Sequence, residues 1–145
     1  MHRIILAALL LLAPLSSSAQ NEPHSWLYGS WTGGSLPPVR GQDAEACYAS
    51  PSVIFTRDIV LRTTLLEPIY TQRIVETARA TADGGIEFRF RPLPRQGGQF
   101  GQAMSAGGFG CANPNVLTVR RIGEHEIEFP GCVEFPSPLV RCPVP

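Results

Sequence analysis

The stretch Thr77–Phe90, TARATADGGIEFRF, gives the clearest indication of the fold of this chain. Its second half places Ile86, Phe88 and Phe90 on one side, with charged residues between them, which is typical of a half-buried β-strand. The tripeptide Asp83–Gly85, DGG, favours a short hairpin loop. The two halves are therefore predicted to pair as neighbouring strands. The predicted partners are Ala82 with Ile86, Ala80 with Phe88 and Ala78 with Phe90.

The preceding segment, Val53–Leu65, reads VIFTRDIVLRTTL and is predicted to be one strand with its odd-numbered residues inward. A turn at Glu67–Pro68 then leads into a second strand with the even-numbered residues of 70–82 inward. Both turns give the same inner face, and this agreement supports a sheet. A helix over 69–80, opened by Glu67–Pro68, remains the alternative.

This pattern puts charged residues on the apolar face. Arg57 lies between Phe55 and Ile59, and Glu76 is on the inner face of the next strand. Because a buried charge is costly unless it is paired, we expect an interior Arg57–Glu76 ion pair in a polar site for a small ligand. The predicted ligand-binding residues are Trp31, Arg57, Tyr70, Gln72 and Glu76. A β-bulge at Thr56–Asp58 that turns Arg57 to solvent is the alternative.

Further strands are predicted in four segments, namely Trp26–Thr32, Val116–Ile122, His125–Phe129 and Leu139–Cys142. Residues 20–25 are predicted to be a loose tail and residues 33–52 a loop. Residues 95–110 form a second, glycine-rich loop without a phosphate-binding motif. The expected fold is all-β, a small antiparallel barrel or sandwich of about seven strands with no helix.

The first nineteen residues have the pattern of a secretory signal peptide. A basic start is followed by the ten-residue apolar run Ile4–Ala13 and by Ser16–Ala19, a small-residue cleavage site. The run is too short to span a bilayer, which takes about 20 apolar residues. We expect residues 1–19 to be removed and residues 20–145 to form one periplasmic or secreted domain.

Four cysteines in an exported chain predict two disulfides. Of the three possible pairings, Cys111–Cys132 with Cys47–Cys142 is preferred. The sequence has no Cys-x-x-Cys pair, so neither a zinc site nor another metal site is expected.

The charge pattern argues against nucleic-acid binding. Twelve basic residues, all arginines, balance twelve acidic ones, so no bulk positive field is available. Arg73, Arg79, Arg89 and Arg91 are predicted to line one outer face, with Arg79 opposite Arg89. This strip suits either solvent or an anionic partner.

The stretch Tyr28–Gly34, YGSWTGG, contains the pair Gly29 and Trp31, which resembles the Gly-x-Trp opening of lipocalins and other calycins. The resemblance implies an up-and-down barrel in which an arginine from its end, Arg141 or Arg121, packs on Trp31. The chain departs from the pattern because it is short and lacks both the Thr-Asp-Tyr loop motif and the C-terminal helix. In size it is closer to avidin-like proteins and bacterial metalloprotease inhibitors. The stretches PSVIFTRDIVL, GFGC and EIEFPGC also resemble small exported bacterial proteins of uncharacterised function.

Catalytic chemistry is weakly indicated, because His125 sits beside a hairpin turn and no nucleophile is placed to use it. No catalytic residue and no cofactor is predicted. The leading hypothesis is a non-enzymatic exported barrel that binds a small polar-headed ligand. One alternative is an inhibitor of an exported hydrolase, acting through the 20–30 tail or the 95–110 loop. A second alternative is a small hydrolase or isomerase.

Overall fold

The computed structural model describes residues 22–38, 44–49, 52–65, 68–93 and 107–143. Eight antiparallel strands form a closed barrel in which each strand pairs with the next and β8 pairs with β1. The predicted all-β barrel is therefore confirmed, with one strand more than expected. The strands are β1 Gly29–Gly33, β2 Val53–Phe55, β3 Ile59–Arg62, β4 Thr71–Ala80, β5 Ile86–Phe90, β6 Val116–Arg121, β7 Glu126–Glu128 and β8 Leu139–Arg141.

The extra strand arises because Val53–Leu65 is a hairpin and not a single strand. Phe55 of β2 pairs with Val60 of β3, and the chain reverses between them. The Thr56 hydroxyl donates to the Ile59 carbonyl oxygen and accepts from the Ile59 amide, which closes the turn without glycine or proline. After this turn the inward residues of β3 are even-numbered, so the prediction of an odd inner face throughout is wrong.

The β4–β5 hairpin confirms the strand prediction for 71–80 but has a different register. Ala80 pairs with Ile86 and Ala78 with Phe88, two residues away from the predicted partners. Small residues still face large ones. The register then shifts at a bulge between Val75 and Thr77, so that Val75 pairs with Phe90. A bulge adds one residue to one strand and reverses the side on which later residues lie.

Two short helices form where none was predicted, and the first of them includes Trp26 and Leu27, which were predicted to begin the first strand. Ser25–Leu27 is a 3₁₀ helix with Leu27 fully buried, and His24 before it is buried as well. The described part of the predicted loose tail is therefore packed on the barrel. Helix α1, Ala44–Ala49, lies within the segment predicted as loop. Of the predicted loop at 95–110, residues 95–106 lie outside the described part.

The two ends of the barrel differ. At one end, here called the closed end, the turns 56–58, 81–85 and 122–125 are short, and the Ser25–Leu27 helix packs beside them. At the other, here called the loop end, four longer connections span 34–52, 63–70, 91–115 and 129–138. This asymmetry positions the candidate site.

Aromatic side chains fill much of the interior. Six phenylalanines form a continuous set of ring contacts, with centroids 5.4–6.3 Å apart. The six are Phe55, Phe88, Phe90, Phe109, Phe129 and Phe135. Offset and edge-to-face packing at such distances adds to the stabilisation that apolar burial provides.

Both predicted disulfides are present and paired as expected. Cys47–Cys142 ties α1 to the end of β8, and Cys111–Cys132 joins two connections of the loop end. Within the described ranges, no helix combines the length and the apolar character that a membrane span requires.

Candidate binding site at the loop end

The predicted interior ion pair between Arg57 and Glu76 does not form. Arg57 lies in the β2–β3 turn with its side chain 72% exposed, and it pairs with Glu22. Glu76 is exposed on the outer side of β4, next to the bulge. The turn moves Arg57 out of the sheet, as in the solvent-facing alternative, and the bulge reverses the side on which Glu76 lies.

The other predicted site residues are also apart from one another. Tyr70 and Gln72 are exposed at the loop end, on the outer side of the start of β4. Trp31 is fully buried, and its indole nitrogen donates to the Leu27 carbonyl oxygen at the closed end, 2.8 Å away. The five residues therefore do not line a common site.

Two other arginines occupy the interior instead. Arg62 and Arg73 are each 1% exposed. Arg62 follows the turn, so its even number now places it inward with Val60. Arg73 precedes the bulge, so it is inward on the odd-numbered side of β4. Since Arg62 pairs with Thr71, both arginines lie near the loop end of their strands.

Among the described residues, Arg73 is held only by uncharged oxygens. Its Nη1 donates to the Gly107 and Pro114 carbonyl oxygens, both at 2.9 Å, and its Nη2 donates to Asn115 Oδ1 at 2.8 Å and to the Arg91 carbonyl oxygen at 3.4 Å. Its guanidinium carbon lies 5.0 Å from the centroid of the Phe90 ring. In the described part of the chain its Nε has no hydrogen-bond partner. Burial, and then the charge of Arg62, lower the pKa of the Arg73 guanidinium.

Arg62 differs because it has a carboxylate partner. Its Nη1 lies 2.8 Å from an oxygen of Glu134, which follows the disulfide-bonded Cys132. Glu134 is a partly exposed residue of the β7–β8 connection. Arg62 thus binds the β7–β8 connection through Glu134, whereas Arg73 is anchored to the β5–β6 connection.

Sequence reasoning missed both arginines. Arg73 was predicted to share an outer face with Arg79, Arg89 and Arg91. Those three are exposed, but Arg73 is buried. Arg79 pairs with Glu87 and not with Arg89, so the expected like-charge pair is absent. The signal that could have located Arg73 is Asn113–Asn115, an Asn-Pro-Asn turn that supplies an amide oxygen, although its partner cannot be read from the sequence.

At the closed end, Arg141 lies over Trp31, with its guanidinium carbon 4.6 Å from the ring centroid. It also donates to the carbonyl oxygens of Tyr28, at 2.8 Å, and of Trp26. Arg121, the other candidate, lies over Trp26. Burial lowers the pKa of Arg141.

A second polar cluster lies beside this contact. Tyr28 donates to the carboxylate of Glu22, and the His24 ring is 2.9 Å from the Arg57 carbonyl oxygen. Burial and the hydrogen bond to Glu22 raise the pKa of Tyr28 to about 12. The same hydrogen bond lowers the pKa of Glu22. These contacts fix the N-terminal segment on the barrel.

The groups that could support catalysis or metal binding are sparse. His125 is largely exposed, and its Nε2 lies 3.8 Å from a carboxylate oxygen of Glu124. No cluster of three or more potential metal ligands occurs among the residues whose positions are described. In comparisons with known proteins, no protein family, no curated protein and no solved structure matches this chain.

Proposed function

We propose that the protein is an exported, non-enzymatic barrel that binds a small ligand with an anionic head, and that Arg73 at the loop end receives that head. The observation that carries the proposal is the state of Arg73, a fully buried cation whose described partners are all neutral oxygens. Buried charges are normally paired with a charge of opposite sign. An anion at Arg73 supplies that charge.

Apolar groups lie beside Arg73, and the proposed ligand has an apolar body that contacts them. A methyl group placed at Gly107 would lie within 4 Å of the side chains of Leu93, Thr71 and Arg73, so these side chains meet around Gly107. Leu93 is an exposed apolar residue. Ligand sites commonly combine apolar walls with a few polar groups that fix orientation.

The proposed location is the periplasm or the extracellular space. The pattern of residues 1–19 supports it, and two disulfides are compatible with an oxidising compartment. Mass spectrometry of the exported protein should show Gln20 as its first residue. A mature chain that still carries residues 1–19 would contradict this part of the proposal.

The inhibitor alternative is less well supported by the contacts. Its 20–30 segment is packed against the barrel from Glu22 onward, and most of its 95–110 segment lies outside the described residues. An evolutionary relationship to lipocalins is also proposed. The eight-strand closure and the Arg141–Trp31 contact support it.

Two matched probes test the binding proposal. Anilinonaphthalene sulfonate and N-phenylnaphthylamine share an apolar body, and only the first carries an anionic group. A hydrogen bond to a charged group contributes about 1.5–3 kcal/mol, so the sulfonate should bind the native protein at least about tenfold more tightly. Fluorescence titration measures both affinities.

The variant Arg73→Met should remove the preference for the sulfonate, whereas Arg79→Met, on the outer face of the same strand, should keep it. If Arg73 only ties the loops together, the native protein will bind both probes equally well. That result would overturn the proposal without depending on the folding of any variant.

A further inference from the structure

The exposed apolar side chains are concentrated at one end of the barrel. Nine large apolar residues are exposed among those described, and six of them lie at the loop end. All four connections contribute, and Leu65, Ile69 and Val133 are 69%, 81% and 80% exposed. The six, here called the apolar rim, are Leu36, Leu65, Ile69, Tyr70, Leu93 and Val133.

Charged residues are few among those described at the loop end, where the exposed apolar side chains are concentrated. The described residues of the four connections at the loop end, leaving out α1, include only two charged side chains, Arg91 and Glu134. Glu134 is already paired with Arg62. Helix α1 is left out of this count because its Cys47 is bonded to Cys142, which follows the closed-end terminus of β8. The helix is therefore held towards the closed end.

The closed end carries the charges instead. Its three short turns hold Arg57, Asp58, Asp83 and Glu124, and Glu22 lies beside them. In the described part of the chain, the barrel is therefore polarised along its axis, with exposed apolar groups at the loop end and charged groups at the closed end.

We infer that the loop end docks on a lipid bilayer surface. The aliphatic side chains of the rim are distributed over four loops around one barrel end, and this arrangement matches a planar apolar medium better than it matches the aromatic hot spots of a protein interface. Tyr70 has the amphipathic ring that favours the membrane–water interface. Arg91 is exposed beside Leu93 and suits lipid phosphate, and the loop end presents no unpaired described carboxylate to repel it.

Vesicles of phosphatidylethanolamine and phosphatidylglycerol test this inference. The native protein should co-sediment with them. The double variant Leu65→Ser/Ile69→Ser should bind at least about tenfold more weakly, since two exposed apolar side chains are lost. Ile122→Ser is the matched control because Ile122 is 44% exposed at the closed end, and its binding should be unchanged.

A reporter checks the orientation of the bound protein. In Tyr70→Trp, brominated lipid should quench the new indole at the loop end, whereas Trp26 and Trp31 at the closed end should be unaffected. Absence of co-sedimentation, or an equal loss for Ile122→Ser, would overturn the inference. So would self-association that the Leu65→Ser/Ile69→Ser change abolishes, because the rim would then be an interface between copies. No ligand probe is needed, so this result is independent of the binding proposal.

Discussion

Arg141 of β8 and Trp31 of β1 form the contact that joins the first and last strands of the barrel. The guanidinium lies 4.6 Å from the ring centroid, and the two residues pair directly across the ladder. Arg141 also donates to two carbonyl oxygens of the segment that leads into β1. The Arg141 side chain thus contacts both β1, where the barrel closes, and the N-terminal segment that precedes β1.

Replacing Arg141 with methionine should therefore destabilise the fold. The change removes a partly desolvated cation–π contact and leaves two carbonyl oxygens without their donor, which together cost about 2–4 kcal/mol. The matched variant Arg121→Met loses an exposed contact with Trp26 and should cost at most about 1 kcal/mol. Urea unfolding measures both, and equal losses would contradict the role given to Arg141.

Because of the bulge in β4, substitutions at two even-numbered positions should have opposite effects on stability, one large and one small. Ala78 pairs with Phe88 on the inner side, so Ala78→Glu should bury a carboxylate and cost at least about 3 kcal/mol. Glu76 is exposed, so Glu76→Ala should cost at most about 0.5 kcal/mol. In a strand without a bulge the two positions would share a side, and urea unfolding would then show a large loss for both variants.

Two irregularities, the turn after Phe55 and the bulge after Val75, limited what could be predicted from the sequence. Alternation identified most strands, and the spacing of Ile86, Phe88 and Phe90 showed which side of β5 is buried. The prediction of the inner face failed at two places where the inward residues change from odd-numbered to even-numbered. These places are the turn after Phe55 and the bulge after Val75. Thr56–Asp58 has no glycine or proline, and a bulge leaves no fixed residue signature. Arg57 and Glu76 were therefore placed inside, whereas Arg73 was placed outside.

The two disulfides should have separable roles. Cys47–Cys142 joins residues 95 apart and Cys111–Cys132 residues 21 apart. Loop-closure entropy then predicts that the free energy of unfolding falls by about 4–5 kcal/mol when the first pair is changed to alanine and by about 3 kcal/mol when the second is changed.

Cys111–Cys132 also joins the connections that supply the acceptors of Arg73 and Arg62. Its removal should weaken binding of the sulfonate probe beyond the effect of removing the other bridge, as fluorescence titration would show. Equal binding losses would assign both bridges to stability alone.

Stability should fall in strong alkali through Tyr28. Its pKa in the folded protein is raised from 10.0 to about 12, first by burial and then by the hydrogen bond to Glu22. The raised value means that the folded state favours the neutral phenol. This contribution is fully present below pH 10 and is lost as the pH rises towards about 12.

Urea unfolding below pH 10 and near pH 12 checks this expectation. Tyr28→Phe should lose less stability across this range than the native protein. Tyr70→Phe is the control for the second tyrosine whose pKa burial raises. An alkaline loss that is the same with and without Tyr28 would contradict the assignment.

The most direct test of the proposed site observes the Arg73 side chain itself. In protein with nitrogen-15-labelled arginine, nuclear magnetic resonance resolves the Nε–H groups, and Arg73→Lys identifies the signal of Arg73. Its Nε–H has no partner among the described residues, so anilinonaphthalene sulfonate should shift that signal more than those of the exposed Arg79 and Arg89. Binding of the sulfonate with the Arg73 signal unchanged would contradict the account.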